Sequence, residues 1–277
     1  MRIVRYVYHA PLRGAVRHNG AVRHYGAEDV IGSAPCVAHG VLQQDEHILR
    51  LASSPFHGAW ETMGAPVPLA QVRLLAPCEP SKIVCIGRNY AAHAAEHHAP
   101  VPSQPLIFLK PPSALLAPGA AIELTPLSAQ VEHEAELVVV IGRRCRHVPA
   151  AQALAMVLGY TCGNDVTARD LQRQDGQWAR AKGFDTFCPL GPWIETDLDP
   201  TQVEVTCLVN GAERQRGSTA DLIFPVAQLI AYVTQAMTLE PGDVIMTGTP
   251  AGVGPLHAGD EVVVRISGIG ELRNAVI

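Results

Sequence analysis

Cysteine pairs and long apolar runs are both missing from this chain of 277 residues. Its seven cysteines are an odd number and contain no Cys-x-x-Cys pair, which argues against a disulfide framework and a cysteine-rich zinc site. The apolar run at residues 137–141 is far shorter than the roughly 20 residues that span a bilayer. The N-terminus lacks the apolar stretch of a signal peptide. We therefore expect a cytoplasmic protein with reduced thiols and no membrane partner.

A strong charge of either sign is also absent. The chain has 21 lysine and arginine residues and 26 aspartate and glutamate residues, a formal net charge of −5 at pH 7. This mild acidity argues against a nucleic-acid partner. With 48% apolar and 17% charged residues, the composition is that of a globular protein.

Several catalytic motifs are missing as well. The sequence has no G-x-S-x-G nucleophile elbow, and Leu137 stands where the second histidine of an H-E-x-x-H motif would be needed. The glycine-rich segment 248–254 matches neither the phosphate loop nor the dinucleotide fingerprint. Serine hydrolases, zincins and nucleotide-binding enzymes therefore lack support, although this loop could present Thr249 and backbone N–H groups to a small anion.

Strand signals outnumber helix signals along the chain. Hydrophobic patterns and turn residues predict a turn at 18–20 and strands at 3–8, 21–25, 82–86, 106–110, 131–141, 203–209, 244–247 and 261–266. Helices are predicted at 90–98, at 150–158 and after Pro225, where four apolar residues form one stripe: Val226, Leu229, Ile230 and Val233. The fold class is therefore mostly β with a few helices (α+β).

A cluster of proline and glycine at residues 64–68 indicates a boundary between two parts of the chain. We predict a small β-rich N-terminal domain at residues 1–70 and a larger domain at residues 71–277.

Two glutamates on the predicted strand 131–141 form the first candidate site. Residues i and i+2 of a strand point to the same face, so Glu134 and Glu136 would carry like charges side by side next to an apolar run. A divalent cation with oxygen ligands would offset that repulsion. Glu132 has the same parity, so strand geometry alone does not choose two ligands from three. The alternative is a strand end whose acidic residues face water.

Asp165 and a histidine–glutamate pair are further candidates, each with a structural alternative. Asp165 stands between a strand and a helix, where it could be a third carboxylate ligand; the alternative is that Asp165 or Thr167 caps the helix. His93 and Glu96 are helical neighbours, and a carboxylate beside an imidazole suits a general base that acts on water. The same pair could instead belong to a solvent-facing helix that is rich in histidine.

Six segments, in this order, resemble the fumarylacetoacetate hydrolase family over residues 72–277: KIVCIGRNYAAHAAE, PLIFLKPPSALLAPG, VEHEAELVVVIG, GYTCGNDVTARDLQ, QWARAKGFDTFCPLGPW and LEPGDVIMTGTPAGVGPL. The resemblance implies a mixed β-sandwich roll of the C-terminal type of that family, preceded by the small β-rich domain, in a protein that is usually a homodimer. His133 stands where tyrosine is common in the family.

The resemblance also implies roles for particular residues. It places the metal ligands at Glu134, Glu136 and Asp165, with Mg²⁺ as the usual ion and Mn²⁺ or Ca²⁺ sometimes in its place. His93 and Glu96 match a catalytic dyad on a short lid helix, and Lys182 matches a catalytic lysine. The residues expected to contact the substrate are Arg88, Gln172 and Thr249.

The activity implied by the resemblance is metal-dependent carbon–carbon chemistry on a small anionic 2-oxo acid. We expect hydrolytic cleavage of a 2,4-dioxo acid of the acylpyruvate or fumarylpyruvate type, with water activated by His93 and Glu96. The same residues would serve a decarboxylase of a 2-oxo diacid, or a tautomerase or isomerase of the oxaloacetate or 2-hydroxyhepta-2,4-diene-1,7-dioate type. The remaining alternative is that the chain is a binding module without catalytic activity. The six segments do not separate these activities.

Overall fold

A computed structural model describes residues 1–10, 16–18, 21–23, 34–58 and 60–277 of the chain. Of the predicted strand at 21–25, residues 21–23 are described, and residues 24 and 25 lie outside the described residues, as do Asn19 and Gly20 of the predicted turn. Among the described residues, no helix is both long and apolar enough to cross a membrane.

Strands dominate the structure, and this confirms the predicted fold class. The strands before residue 80 are β1 (Arg2–Ala10), β2 (Val16–His18), β3 (Ala21–Arg23), β4 (Ala34–Leu42), β5 (His47–Leu51), β6 (Thr62–Pro68) and β7 (Arg73–Leu74). Those after it are β8 (Ile83–Gly87), β9 (Leu106–Lys110), β10 (Leu115–Leu116), β11 (Val131–His133), β12 (Ala135–Ile141), β13 (Val157–Asn164), β14 (Thr167–Ala168), β15 (Cys188–Glu195), β16 (Glu204–Val209), β17 (Ala212–Ser218), β18 (Val244–Met246), β19 (Gly254–Pro255), β20 (Glu261–Ile266) and β21 (Gly270–Ala275).

Short helices cover these strands. The α-helices are α1 (Ala91–Glu96), α2 (Ala150–Ala153), α3 (Arg169–Asp175), α4 (Ala179–Lys182) and α5 (Val226–Ala236), and short 3-10 helices lie at Leu69–Gln71, Pro112–Ala114, Leu154–Met156 and Thr219–Asp221. The helix predicted at 150–158 is therefore wrong in its second half. There the chain passes through a 3-10 turn and enters β13 at Val157, because that segment pairs with β12.

One large sheet runs through both parts of the chain. Its order is β6-β5-β4-β1-β15-β13-β12-β18-β8-β9, with β7 and β10 attached to β1 and β15. A four-stranded sheet has the order β17-β16-β20-β21, a three-stranded sheet has the order β14-β11-β19, and β2 pairs with β3. Because β1 pairs with β15 through Arg2 with Glu195 and Ile3 with Ile194, the N-terminal strands continue the sheet of the later ones.

Strand β12 is buried on both faces. Leu137, Val139 and Ile141 pack in one core with apolar residues of β16, β20 and α5. Val138 and Val140 pack on the opposite face with residues of β1, β8, β15 and β18. Full burial of such a side chain contributes about 1.5–3 kcal/mol. A continuous apolar run, rather than alternation, is the pattern expected of a strand that is covered on both sides.

The predicted apolar stripe of α5 is confirmed. Val226, Leu229, Ile230 and Val233 are all buried in the core that β12 shares with the four-stranded sheet. Pro225 precedes the helix as its N-cap residue. Its missing N–H costs nothing there, because the first turn of a helix leaves its N–H groups without partners inside the helix.

The strand predicted at 131–141 is divided at Glu134. Residues 131–133 form β11, which pairs with β14 and β19, whereas residues 135–141 form β12, which pairs with β13 and β18. Between the two strands, the N–H of Glu134 donates to Asn164 Oδ1 at 2.9 Å, and its carbonyl accepts from Asp165 N at 2.8 Å. The chain therefore changes sheets at the residue that carries the first candidate ligand.

Candidate active site

Three carboxylates converge where β12 begins and β13 ends. Glu134, Glu136 and Asp165 each offer one oxygen, and these oxygens all lie within 4.8 Å of one another. All three residues are buried, with exposures of 4%, 2% and 1%. The antiparallel pairing of Ala135 with Asn164 brings Asp165 next to Glu134, so the meeting of these side chains follows from the strand register.

Asp165 does not cap the following helix. Residues 167 and 168 form β14 before α3 begins, and the N-cap residue of α3 is Ala168, which makes no side-chain capping bond. The hydroxyl oxygen of Thr167 instead lies 2.8 Å from Asp165 O and 3.2 Å from Glu134 Oε1, and its single proton is shared between these two acceptors. The capping alternative is therefore wrong, and the Asp165 side chain belongs to the carboxylate cluster.

Two buried lysines contact this cluster. Lys182 Nζ lies 2.7 Å from Glu134 Oε2 and 2.7 Å from Asp165 Oδ2. Lys110, at the end of β9, lies 2.6 Å from Asp165 Oδ1 and 3.1 Å from the carbonyl of Val166. Burial opposes the charged form of Lys182, but Asp165 and Glu134 outweigh that effect and raise its pKa. Both lysines therefore serve as counter-ions for Asp165.

Arg169 separates Glu132 from the cluster. Its Nε donates to Glu132 Oε2 at 2.7 Å, its second amino group donates to Glu134 Oε1, and its first amino group donates to Gln172 Oε1 at 2.6 Å. Glu132 also accepts from Gln130 at 2.6 Å. Glu132 is therefore bound by Arg169 and Gln130 and does not belong to the carboxylate cluster, which Glu134 and Glu136 form with Asp165.

Glu136 has no cationic partner among the residues that the structure describes. Four carboxylates (Glu132, Glu134, Glu136 and Asp165) face three cations (Lys110, Lys182 and Arg169). Burial opposes ionisation of Glu134, yet Lys182 and Arg169 hold its pKa well below the usual range. Burial and then the charges of Asp165 and Glu134 raise the pKa of Glu136 well above its ordinary value.

The donor set fits a hard divalent cation. Among the described residues, Glu136 makes no ion pair and accepts one hydrogen bond, from Gly248 N at 2.7 Å. Gly248 has φ +101, and a Cβ there would lie 2.7 Å from Asn89 Cβ, so glycine allows this backbone to approach the carboxylate. Three buried carboxylates with one uncompensated charge suit Mg²⁺, Mn²⁺ or Ca²⁺, which prefer oxygen ligands.

Helix α1 carries a histidine–carboxylate pair into the same site. His93 is buried, and its Nδ1 lies 3.3 Å from Glu96 Oε2. Glu96 Oε1 accepts from Gly252 N at 3.0 Å, which ties the helix to the glycine-rich loop. Burial lowers the pKa of His93 more than Glu134 and Glu96 raise it. The pair therefore holds a neutral imidazole whose Nδ1–H donates to Glu96 and whose Nε2 can accept a proton.

The side chain of Thr249 is positioned next to the carboxylate cluster by hydrogen bonds to Gln215 and to the backbone of Ala135. Its hydroxyl donates to Ala135 O at 2.9 Å and accepts from Gln215 Nε2 at 2.7 Å. Gln215 is buried on β17, and its oxygen accepts from His133 Nδ1 at 2.9 Å and from Ala135 N at 3.0 Å. The Gln215 amide thus connects β17 with His133 of β11, with Ala135 of β12 and with the glycine-rich loop.

These side chains line one small cavity of about 210 Å³. The structure brings all nine predicted site residues to it: eight line its wall, namely Arg88, His93, Glu134, Glu136, Asp165, Gln172, Lys182 and Thr249, and Glu96 contacts His93. Arg88 has φ +55, and its guanidinium lies 5.8 Å from the Trp178 ring centroid. The cavity is smaller than a pocket for a drug-sized ligand, and this favours a small substrate.

Sequence reasoning missed four residues of the site. The sequence around Lys110 and around Gln215 does not indicate that either side chain has a buried partner. Lys110 contacts Asp165, which is 55 positions away, and Gln215 contacts Ala135, which is 80 positions away. Arg169 and His97 had local signals. Arg169 lies only four residues after Asp165, and His97 follows His93 by four residues.

Comparisons with known proteins agree with the geometry. A family model described as fumarylacetoacetate (FAA) hydrolase C-terminal matches residues 82–277, and one described as Rv2993c-like, N-terminal matches residues 34–77. Protein Rv2993c of Mycobacterium tuberculosis is 51% identical over 230 residues, which cover 82% of this chain and 86% of that protein.

Two further relatives have names that describe an activity. Oxaloacetate tautomerase FAHD2A, mitochondrial, of Homo sapiens is 44% identical over 224 residues, which cover 76% of this chain and 71% of that protein. The crystal structure of 5-carboxymethyl-2-hydroxymuconate delta-isomerase from Mycobacterium smegmatis has a TM-score of 0.85 and 45% identity, and the match covers 100% of this chain and 99% of that one.

Proposed function

The chain belongs to the fumarylacetoacetate hydrolase family, and we propose that it is a divalent-metal-dependent enzyme that interconverts the keto and enol forms of a small 2-oxo diacid. The observation that supports this proposal best is the meeting of three buried carboxylates and the His93–Glu96 pair in one small cavity. The relatives named oxaloacetate tautomerase and 5-carboxymethyl-2-hydroxymuconate delta-isomerase favour tautomerisation over hydrolytic cleavage and decarboxylation.

Glu134, Glu136 and Asp165 would hold the cation, and these ligands suit Mg²⁺ or Mn²⁺. A cation bound there would act as a Lewis acid on the 2-oxo and carboxylate oxygens of the substrate. With a dication bound to ionised Glu136, the four carboxylates and three cations of the site carry one net positive charge. The cavity would then attract an anionic substrate.

The chain's own residues would move the proton. His93 Nε2 takes the proton from the carbon next to the 2-oxo group, while Glu96 holds the ring and stabilises the imidazolium that forms. Arg88 offers a guanidinium to the anionic substrate, and Thr249 lines the wall near the two glutamates. Return of the proton to the enolate oxygen, with or without a relaying water, completes the tautomerisation.

Hydrolytic cleavage of an acylpyruvate is the second candidate, and the same histidine–glutamate pair favours it. An imidazole oriented by a carboxylate can deprotonate a water molecule as readily as a carbon acid. Water would then add to the distal carbonyl of a 2,4-dioxo acid, and the carbon–carbon bond would break with the electron pair left on the pyruvate fragment.

A substrate panel separates these activities. Oxaloacetate, acylpyruvates and hydroxymuconate-type diacids are assayed with Mg²⁺ or Mn²⁺, and ketonisation, cleavage and loss of carbon dioxide are recorded separately. We expect ketonisation of a diacid to be fastest, to stop when the metal is chelated, and to fall by about 10²–10⁴ in H93A. Faster cleavage of an acylpyruvate would favour the second candidate. Full activity in both H93A and chelated enzyme would contradict the proposal.

A further inference from the structure

A second group of metal-ligating side chains lies at α1, apart from the three carboxylates. His93, Glu96 and His97 each offer one ligand atom, and these atoms all lie within 4.8 Å of one another. The rings of His93 and His97 meet edge to face with their centroids 4.7 Å apart. Both imidazoles line the cavity that also contains the carboxylate cluster.

Helical spacing explains why the three side chains meet. Residues i, i+3 and i+4 lie on one face of a helix, and His97 continues α1 as its C-cap with φ −95 and ψ 13. Glu96 is held from outside the helix, because its Oε1 accepts from Gly252 N at 3.0 Å. The other carboxylate oxygen, Oε2, faces His93 at 3.3 Å. The donors are therefore gathered before any ion binds.

We propose that His93, Glu96 and His97 form a second metal site, selective for a borderline cation such as Zn²⁺, and that its occupation inhibits the enzyme. Two imidazoles and one carboxylate are a ligand set that zinc accepts with a water in the fourth position. Three carboxylates, by contrast, suit the harder ions Mg²⁺ and Mn²⁺. One cavity thus has two sites that differ in the metal they prefer.

Inhibition follows from the chemistry of the imidazole ring, and this part of the inference rests on the proposed function. A zinc ion on Nε2 of His93 would occupy the lone pair that takes the proton. A zinc ion on Nδ1 would displace the contact with Glu96 and leave the remaining proton on Nε2. In either case the ring no longer acts as a base.

Zinc binding is measured by calorimetric titration of the full-length protein with Zn²⁺ in excess Mg²⁺, so that binding does not depend on knowing the substrate. We expect one zinc per chain in the wild type and in E136Q, which lacks a carboxylate ligand. H97A should bind zinc more weakly by at least about 10- to 100-fold, the loss that outer-shell changes alone produce. The matched control is H98N, because residue 98 has φ +52 and asparagine tolerates that conformation.

Inhibition is then read as the ratio of rates with and without zinc within each variant. Wild type and H98N should lose activity at zinc concentrations that leave H97A active. Thermal unfolding of H97A with and without Mg²⁺ shows whether its fold and its carboxylate site are intact. If either is lost in H97A, the titration and the rate measurements are repeated with H97Q.

Three results would overturn the proposal. One is a wild type that binds no zinc in excess Mg²⁺. Another is loss of zinc binding in E136Q with retention in H97A, which would place the zinc on the carboxylates. The third is bound zinc that leaves the rate unchanged. If no substrate of the panel is turned over, the proposed function fails, whereas the titration still decides whether the site exists.

Discussion

Glu136 is the ligand candidate whose burial is least compensated: within the described part of the chain it accepts one hydrogen bond, from Gly248 N, and its pKa is raised well above the ordinary value. Substitution by glutamine should remove that electrostatic cost and the cation site together. We expect E136Q to be at least as stable as the wild type without metal, and to lose the rise in melting temperature that Mg²⁺ produces. That rise reflects about 2.7 kcal/mol when the metal is at 100 times its dissociation constant.

The control for this experiment is E132Q, because Glu132 is a buried glutamate of the same parity that pairs with Arg169. It should be less stable without metal, since a buried arginine loses a partner, and should keep the response to Mg²⁺. Equal responses to Mg²⁺ in E136Q and in the wild type, measured by differential scanning calorimetry, would argue against a cation at Glu136.

His93 should give the enzyme an acidic limb at lower pH than an ordinary histidine would. Its pKa is lowered from 6.5, chiefly by burial, and the base must be neutral to accept a proton. The rate should therefore rise with pH through a value below 6.5 and stay flat above it. A pH profile of kcat/KM for the free enzyme measures this value. An inflection at or above 6.5, or the same inflection in H93A, would remove His93 from the role.

Residue by residue, the sequence reveals more of the acidic side of the site than of the basic side. Glu134, Glu136 and Asp165 stand next to apolar strands, where an unpaired charge is unfavourable, so their positions point to a ligand. Lys110 has no such signal, because a lysine that ends a strand ordinarily faces water, and its burial depends on Asp165, 55 positions away. Pairing across that separation is a property of the folded sheet.

At the scale of elements, the strand predicted at 131–141 shows what periodicity predicts and what it misses. Alternation correctly indicates that Glu134 and Glu136 lie together, as their oxygens do. It does not reveal the break at Glu134, because β11 and β12 are both buried extended segments that follow one another in the sequence. The break depends on Asn164 and Asp165, which bond the backbone of Glu134.

The contact between α1 and the glycine-rich loop is expected to fix the orientation of Glu96. Gly252 has φ +98, and a Cβ there would lie 2.1 Å from the carbonyl oxygen of Arg214. G252A must therefore shift the loop and take its N–H away from Glu96 Oε1. We expect kcat/KM to fall, because His93 loses the partner that orients it, in addition to a loss of stability.

Gly259 offers a matched control for the backbone strain in G252A. Its φ is +93, and no atom of the described residues lies within 4 Å of an added Cβ. G259A should lose about 1–2 kcal/mol from the left-handed conformation alone and keep its activity. Urea denaturation and steady-state kinetics compare the two variants. If G252A matches G259A in both measurements, the contact with Glu96 does not matter for catalysis.

At the scale of the whole molecule, one sheet joins the N-terminal strands to those that carry the site. Ile3 of β1 is fully buried and packs with residues of β15 and β18 in the core beneath β12. The composition of the sequence predicts a boundary near residue 70, but the proline and glycine residues at 64–68 lie in β6, a strand of this same sheet. The continuation depends on the register of β1 against β15, which connects residues almost 200 positions apart.

This continuity predicts that the chain unfolds in one cooperative transition. I3A should lower the free energy of unfolding by about 2–5 kcal/mol, as expected for a cavity in a core, and should shift the whole transition. V37A, on β4, is the control, because Val37 is 54% exposed and its truncation should cost little. Mg²⁺ should raise the midpoint of that same transition in both variants. Calorimetry that resolves two transitions, one shifted by I3A and the other by Mg²⁺, would instead mean that residues 1–70 and 71–277 unfold as separate domains.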